Sequence, residues 1–400
     1  MTTSQVANES PTNPQKVFIY SSVGHLANDG TVFVVPVIAD TFAALRGVSA
    51  VEITALSTLF LGVPLFASPL ISRLADRSGR HAQLMSLGVS LLALGLAAFF
   101  AAFVAGSAAP RLALLFAGAF MTGLGSSFYH PLTASILESS FGAASGGRAM
   151  GYSGAVGGVG AAVYPALFSL VDASIGTNAS LLGLVLLNSL FAAMVLYGMR
   201  SSTKVTLGGK KPVPESASLV SVPIIVLTVI AFLRAAALEG VGYWLPEYLS
   251  YDRGFGTSIW LGITVGAVYA ASIGGEAVFG HLVDRIDGRM VLALSGLVTA
   301  AGIAGFELLG GPLSILFLLI YGVSFVTFPV LLMLSNRYVS ARDKTSARGL
   351  VYGLGNGSGN LAGPILAGLA AGTAYGGLGA GFILLSVVSA GSAVLALLLP

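Results

Sequence analysis

The first residues that could do chemistry lie in a short polar stretch, GHLANDG, at positions 24–30. Its flanks, KVFIYSSV and TVFVVPVIA, are largely apolar. If this segment is helical, His25 and Asp29 lie on one face, because residues four apart are neighbours on a helix. An imidazole beside a carboxylate can exchange a proton near neutral pH. The pair therefore predicts a proton site, and the alternative is a structural hydrogen-bonded pair that ties this helix to a neighbour.

The carboxylate of Asp29 has a counterpart in Glu239, and each is followed by a glycine and, several residues later, by a proline. Arg234 lies five residues before Glu239, so the two side chains point to different faces of a helix. A lone cation in an apolar medium is costly. Arg234 therefore needs either an acid, Asp29 or Glu239, or an anionic ligand. Glu276, in a further apolar segment, is a candidate for a second proton site or for a partner of Arg234.

The composition shows what surrounds these groups. The chain has 400 residues, of which 55% are hydrophobic and 9% charged, and its mean hydropathy is +0.90. Soluble domains carry roughly 25% charged residues, so the sequence predicts an integral membrane protein. Ionisable side chains at the centre of a span cost roughly 2.5–3.5 kcal/mol each and are candidates for function. The chain has no cysteine, which excludes disulfides and thiolate chemistry.

Hydropathy predicts an all-α fold of twelve membrane-spanning helices, since a span needs roughly 20 apolar residues. A polar segment divides them six and six. This predicts a disordered cytoplasmic tail over 1–16, a six-helix bundle over 17–199, a cytoplasmic linker over 200–221 and a second six-helix bundle over 222–400. The predicted spans are 17–41, 51–72, 82–106, 111–139, 147–171, 179–199, 222–249, 258–282, 290–310, 313–338, 348–372 and 377–399.

The basic residues indicate the direction of the spans. If the N-terminus is cytoplasmic, most of the 19 lysines and arginines fall in cytoplasmic segments. The opposite segments then hold only Arg46, Arg111 and Arg253, and Arg234 lies within a span. Under the positive-inside rule, this distribution predicts that both termini are cytoplasmic.

The two predicted bundles repeat each other. SRLADRSGRH (72–81) follows the second span, and GHLVDRIDGR (280–289) follows the eighth. Two parallel repeats of this kind place a binding site between the halves, near the middle of the membrane. Charged residues at the membrane surface are predicted to latch the halves and to set the balance between two conformations. These latch residues are Asp76, Arg77, Arg80, Asp284, Arg285, Arg148 and Arg348.

At these loops the chain resembles the major facilitator superfamily over essentially its whole length. SRLADRSGRH is similar to the superfamily signature G-x-L-A-D-R-x-G-R-K, with Ser72 and His81 as departures. Within the superfamily the chain most resembles the fosmidomycin-resistance-type exporters, through GHLANDG in the first span, GSSFYHP in the fourth and GRAMGYSGAVGGVGAAVYP in the fifth. The last stretch is also similar to the glycine-rich motif of drug–proton antiporters, except that Tyr164 stands where a glycine usually precedes the proline.

The resemblance implies that the first, fourth, seventh and tenth spans line a central cavity. Tyr129 and His130 can then face the GHLANDG pair, and the alternative for His130 is a core histidine bonded to backbone that Pro131 frees. Relatives carry a basic residue near Arg234, which implies a substrate or gating role there. The proton-coupling candidates are Asp29, His25, Glu239 and Glu276. The cavity candidates are Arg234, His130, Tyr129, Asn28, Tyr20, Tyr152, Phe328 and Tyr352.

The spans and the resemblance together predict a secondary transporter and not an enzyme. The expected activity is proton-coupled export of a small organic molecule by alternating access. The alternatives are proton-coupled uptake of an organic anion or metal chelate and, more remotely, a membrane sensor without transport. No cofactor or resident metal is expected, since His25 and His130 lie on separate helices and set no ligand spacing. The expected partners are a small-molecule substrate and the lipid bilayer, not nucleic acid. The protein is expected to be a monomer in the cytoplasmic (inner) membrane, and the proton gradient is the expected energy source.

Overall fold

The computed structural model describes residues 13–141, 146–200, 221–283, 285–324, 328–335, 337–338, 350–372 and 377–400. All regular secondary structure in these ranges is helical. The predicted all-α fold is therefore confirmed for this part of the chain. Nine of its helices are long and apolar enough to cross a membrane, and the segments Ile259–Gly275 and Gly311–Val323 are shorter apolar helices.

Each of the twelve predicted spans coincides with helical structure in the described ranges. The described part of the tenth comprises α10 and α11, with residues 325–327 outside the described ranges, and the described part of the eleventh begins as a π-helical segment. The first half contains α1 (Pro14–Arg46), α2 (Ala50–Ser78), α3 (His81–Val104), α4 (Ala108–Phe141), α5 (Gly146–Ile175) and α6 (Thr177–Met199). The second half contains α7 (Val222–Glu247) with a π-helical turn (Tyr248–Asp252), α8 (Ile259–Val283), α9 (Gly288–Leu308), α10 (Gly311–Val323), α11 (Phe328–Ser335), a π-helical segment (Leu350–Gly357), α12 (Ser358–Ala371) and α13 (Gly377–Leu397).

Side-chain caps mark several helix starts. The Asn13 side chain accepts from the backbone N–H of Gln15 at 3.0 Å at the start of α1. Ser49 and Glu52 form a capping box at the start of α2, which satisfies two backbone donors that the first turn leaves free. Both α1 and α2 end at a glycine in the left-handed conformation, Gly47 (φ 65°) and Gly79 (φ 66°), where a side chain would be strained.

The bundle has two ends, which we call the terminal face and the opposite face. At the terminal face, Val17 of α1 belongs to the same buried cluster as Met199 of α6, and Arg289 Nη1 donates to the carbonyl of Leu399 at 2.6 Å. At the opposite face, Arg111 Nη1 donates to the carbonyl of Arg46 at 3.3 Å. The terminal face is the one that the basic residues predict to be cytoplasmic.

The two halves pack closely near the opposite face. There Gly262 and Gly266 of α8 lie against the backbone of α5, at Pro165 and Ala162, so closely that an added Cβ would overlap. Toward the terminal face, Cβ atoms built on Gly151 of α5 or on Gly353 would meet no atom within 4 Å. The described residues of the two halves are therefore in close contact near the opposite face.

Several predicted features lie outside the described residues. The predicted linker does so over 201–220, and so do Asp284 and Arg348 of the predicted latch. The same holds for the side chains of Asp76, Arg77, Arg148, Glu276, Phe328 and Tyr352. The side chains of Arg80 and Arg285 are exposed. The domain boundaries and the latch therefore stay predictions.

Candidate functional site

The carboxylate of Asp29 lies between two imidazole rings at the middle of α1. Its Oδ2 atom is 3.2 Å from His25 Nε2, and its Oδ1 atom is 3.7 Å from Nε2 of His130 in α4. The amide of Asn28 donates to Asp29 Oδ1 at 2.9 Å and lies 3.4 Å from His130 Nε2. The structure therefore places together four residues that the sequence analysis selected for the proton site or the cavity.

A second layer of contacts holds the ring of His25. Its Nδ1 atom lies 3.2 Å from Oγ of Ser153 in α5, and its ring centroid lies 4.7 Å from that of Tyr129. The Tyr129 hydroxyl in turn donates to the carbonyl of Ser21 at 2.8 Å. A polar contact at one ring nitrogen determines which tautomer the other nitrogen presents. Ser153 and Tyr129 therefore fix how His25 meets Asp29.

Gly157 provides the space for this pair. A Cβ built on Gly157 would lie 2.5 Å from both Asp29 Oδ2 and His25 Cδ2, well inside the 3.0 Å that real Cβ atoms respect. One turn later, Gly160 lets α5 approach the backbone of α1 at Leu26. The glycine-rich stretch of α5 thus brings Ser153 close enough to His25 to contact it, in keeping with the small residues at tightly packed membrane helices.

The three titratable groups differ in their access to solvent. The side chains of His25 and Asp29 are 12% and 17% exposed, whereas that of His130 is 43% exposed. His130 therefore forms the open side of the cluster. A proton that travels through water to Asp29 meets the His130 ring first, and either imidazole can pass it on because each ring nitrogen can donate or accept.

The second half contributes Glu239 from α7. This half-buried acid interacts electrostatically with Asp29 across the two halves, and with Tyr269 of α8 and Tyr321 of α10. The hydroxyl of Tyr321 donates to the carbonyl of Leu238 at 2.6 Å. Glu239 is thus the second-half acid that interacts with Asp29, and its part in proton coupling stays a prediction.

Arg234 is buried inside the second half, with a relative exposure of 2%. Its Nη2 atom donates to the carbonyl of Ser324 at 2.9 Å and lies 3.5 Å from Oγ1 of Thr299. The hydroxyl of Thr299 donates to Oγ of Ser324 at 2.8 Å. Ser324 follows the last residue of α10, and a cation is favourable at the C-terminal end of a helix. These contacts place Arg234 at the C-terminal end of α10.

The remaining cavity candidates are spread over the first half. The ring of Tyr20 packs directly against Gly198 of α6, so it helps to close the terminal end of that half. Tyr152, in the first turns of α5, is 67% exposed. Neither Tyr20 nor Tyr152 takes part in the hydrogen bonds described above for the Asp29 cluster. Their roles as cavity residues stay predictions.

Sequence reasoning missed four residues that the structure makes prominent. Ser153 and Gly157 lie in the glycine-rich stretch of the fifth span, from which the sequence analysis selects neither, and a lone serine carries no signal of its own. Asp40 and Glu247 are acids near the ends of predicted spans, where a charged side chain ordinarily reaches the interface. The structure instead buries Asp40 almost completely, at 1% exposure.

His25, Asp29 and His130 also offer one ligand atom each within 4.8 Å of one another. Such a set could hold a metal ion, which the sequence analysis did not expect. The same three side chains can equally share a proton instead of a metal ion, because imidazole nitrogens donate hydrogen bonds to carboxylates. The expectation of no resident metal stays a prediction.

A multi-helix, membrane-spanning chain with an acid from each half at the middle of the bundle has the architecture of a transporter, not of an enzyme. The sequence profile of the Major Facilitator Superfamily matches residues 17–359. The chain belongs to this superfamily. A search of curated proteins found no match.

Solved transporter structures share the fold. A mutant of the nucleoside transporter NupG superposes with a TM-score of 0.74 at 15% identity, over 96% of this chain and 98% of that one. A bacterial homolog of the human lysosomal transporter Spinster, inward-facing and occupied, gives 0.71 at 17% identity, over 97% and 96%. A bacterial homologue of the human drug peptide transporters PepT1 and PepT2 gives 0.69 at 13% identity, over 96% and 98%. At these identities the likeness shows the fold alone.

Proposed function

We propose that the chain exports a small organic molecule in exchange for protons, by alternating access between its two halves. The observation that carries this proposal is the carboxylate of Asp29, which lies between His25 and His130 at the middle of α1. The superfamily match supports transport, and the resemblance of GHLANDG to fosmidomycin-resistance-type exporters favours export. Glu239, which interacts with Asp29 from the other half, supports coupling between the halves.

A proton on Asp29 changes its contacts in a discrete way. The ionised carboxylate accepts from the Asn28 amide and attracts His25 when that imidazole is protonated. When Asp29 takes up a proton, it loses this charge and can no longer serve as the acceptor that a substrate would need. A substrate and a proton that use the same groups lower each other's affinity, since coupling between two ligands is reciprocal. This competition is the thermodynamic requirement for antiport.

Alternating access also needs parts that move. Arg234 donates to the carbonyl of Ser324 at the end of α10, so we propose that it holds this end of the helix and that a change there reshapes the cavity. Glu276 is a secondary candidate for proton transfer. The charged loops are proposed to latch the halves through Asp76, Arg77, Arg80, Asp284, Arg285, Arg148 and Arg348. The other proposed cavity residues are Tyr129, Tyr20, Tyr152, Phe328 and Tyr352.

The proposed setting is the cytoplasmic membrane, with both termini on the cytoplasmic side and the proton gradient as the energy source. The excess of basic residues on the side of the terminal face supports this orientation. The terminal face would then be the cytoplasmic entrance. A single chain contains both halves of the site, so we propose that a monomer is sufficient.

The first experiment finds the substrate. Purified protein is tested for ligand-dependent thermal stabilisation at two pH values against antibiotics, organic acids, sugars and metal chelates. Nucleosides and peptides are added because structural neighbours carry those names. A ligand that binds only the native state raises its stability in proportion to the logarithm of its concentration over Kd.

The second experiment tests coupling and direction. In everted vesicles with an acidic interior, an antiporter moves the substrate inward while protons leave. Asp29→Asn should abolish this gradient-driven uptake. The matched control is Asp172→Asn, which removes a carboxylate that accepts from Thr177 at 2.7 Å near the far end of α5. Uptake that survives Asp29→Asn would contradict the proposal. Movement of substrate out of the vesicles together with protons would instead establish symport, the alternative activity.

A further inference from the structure

A buried and a half-buried carboxylate interact where α1 and α7 pack together near the opposite face. Asp40 of α1 is 1% exposed, and Glu247 is the last residue of α7. The two acids interact electrostatically across the halves. Asp40 lies eleven residues after Asp29, which is roughly 16 Å along a helix at 1.5 Å per residue. The pair is therefore separate from the Asp29 cluster.

The surroundings of this pair leave its oxygen atoms incompletely satisfied. Within the described residues, neither Oδ atom of Asp40 nor Oε2 of Glu247 has a hydrogen-bond partner. Ser250 lies beside Asp40, but its hydroxyl does not reach hydrogen-bond geometry. The buried hydroxyl of Tyr243, which interacts with Glu247, also has no partner there. Buried polar atoms are nearly always hydrogen-bonded. The unpaired oxygen atoms therefore indicate that a proton belongs on one of the two carboxyl groups.

The titratable groups that interact with the pair are acids and phenols. Glu247 also interacts with Asp252, and Tyr251 interacts with both members of the pair.

The arginines of the opposite face have contacts elsewhere. The Arg46 guanidinium lies over the ring of Phe103, 4.2 Å from its centroid. Arg253 pairs with Glu307 at 3.4 Å, and Arg111 donates to the carbonyl of Arg46. In the part of the chain that the structure describes, no cation is therefore seen to neutralise Asp40 and Glu247.

We propose that Asp40 and Glu247 form a second proton-binding site, which holds a proton whenever the opposite face is closed. Two ionised carboxylates buried side by side would be unstable, because each loses its hydration and repels the other. One proton converts a carboxylate into a carboxylic acid, which can donate a short hydrogen bond to its neighbour. When the halves separate, water reaches both groups, both ionise, and their repulsion favours the open state. A high pH at the opposite face therefore opens it.

The absence of cysteine from the sequence makes a direct test available. Ser169→Cys places a thiol on α5 at a position that is 2% exposed and packs against Gly262 of the other half. Ile175→Cys, at the end of the same helix, is a reference because Ile175 is 76% exposed. The ratio of their labelling rates with an impermeant maleimide cancels the pH dependence of thiol reactivity. It reports how often the opposite face opens.

With otherwise wild-type protein, the ratio should rise with pH, by up to about tenfold per pH unit for one linked proton. In Asp40→Asn/Glu247→Gln the ratio should be low and independent of pH, because the amides stay neutral. Asp172→Asn should keep the wild-type profile. If the double variant does not fold, Asp40→Asn alone should flatten the profile. A ratio without pH dependence in the wild-type background, or an unchanged slope in the variants, would overturn the proposal. Labelling needs no substrate, so this result is independent of coupling at Asp29.

Discussion

Replacing Gly157 with alanine tests whether the site around Asp29 depends on the close approach of α1 and α5. The added Cβ would lie 2.5 Å from Asp29 Oδ2 and 2.7 Å from His25 Nε2, so the pair would have to move. Alanine ordinarily gains about 0.5–1 kcal/mol over glycine within a helix. Overpacking costs about 1–3 kcal/mol, and a lost hydrogen bond to a charged group costs about 1.5–3 kcal/mol. We expect a net loss of about 2 kcal/mol or more.

The assay is the free energy of unfolding in mixed micelles, measured together with gradient-driven transport. The matched control is Gly151→Ala in the same helix, where an added Cβ meets no atom within 4 Å. Gly151→Ala should leave stability unchanged or raise it slightly, with normal transport. Gly157→Ala should lower stability and abolish coupling.

A double-mutant cycle with Asp29→Ala separates this explanation from a general packing defect. Removing the carboxylate makes room for the new methyl group, so Gly157→Ala should cost less in the Asp29→Ala background. Residues in contact show interaction energies of about 0.5–3 kcal/mol in such cycles. An equal cost in both backgrounds, or equal behaviour of Gly157→Ala and Gly151→Ala, would refute the reasoning.

Three further predictions concern other parts of the molecule. Arg234→Ala should destabilise the protein by about 1.5–3 kcal/mol even without substrate, because the carbonyl of Ser324 loses a charged donor; an unchanged unfolding free energy would contradict this. The pKa of Asp287 is held below its usual range by the backbone N–H and the side chain of Arg289. The contribution of Asp287 to folding stability is therefore present above the unfolded pKa of about 3.9, and it is lost as the pH falls through the folded pKa. Asp287→Asn should therefore lower the free energy of unfolding by under about 1 kcal/mol at pH 7 and leave it unchanged in strong acid. An equal loss at both pH values would contradict this prediction. Removing metals with EDTA should change neither stability nor transport, whereas stabilisation by zinc that Asp29→Asn abolishes would indicate a metal site.

The helices and one face of the site could be predicted because both depend on local pattern. Apolar runs of span length form helices wherever the backbone must satisfy its own hydrogen bonds in lipid. The i, i+4 spacing of His25 and Asp29 already determines that they meet on one helix. The approach of His130 needed the superfamily resemblance, since nothing in the spacing along the chain links α1 to α4.

The supporting residues depend on how helices cross, which no local pattern encodes. Gly157 matters because its Cα lies against the His25–Asp29 pair, and Ser153 because it lies one turn earlier on the same helix. The burial of Asp40 depends on the conformation as well, because it requires the halves to be packed at the opposite face.

The most direct test of the central claim is the release of protons when substrate binds to the purified protein in weakly buffered solution. The ligand is one that stabilises the protein in the thermal screen. If Asp29 carries the coupled proton, wild-type protein should release a proton on binding, and Asp29→Asn should bind the same ligand without release. Equal release by both proteins would show that the proton is held elsewhere and would contradict the account.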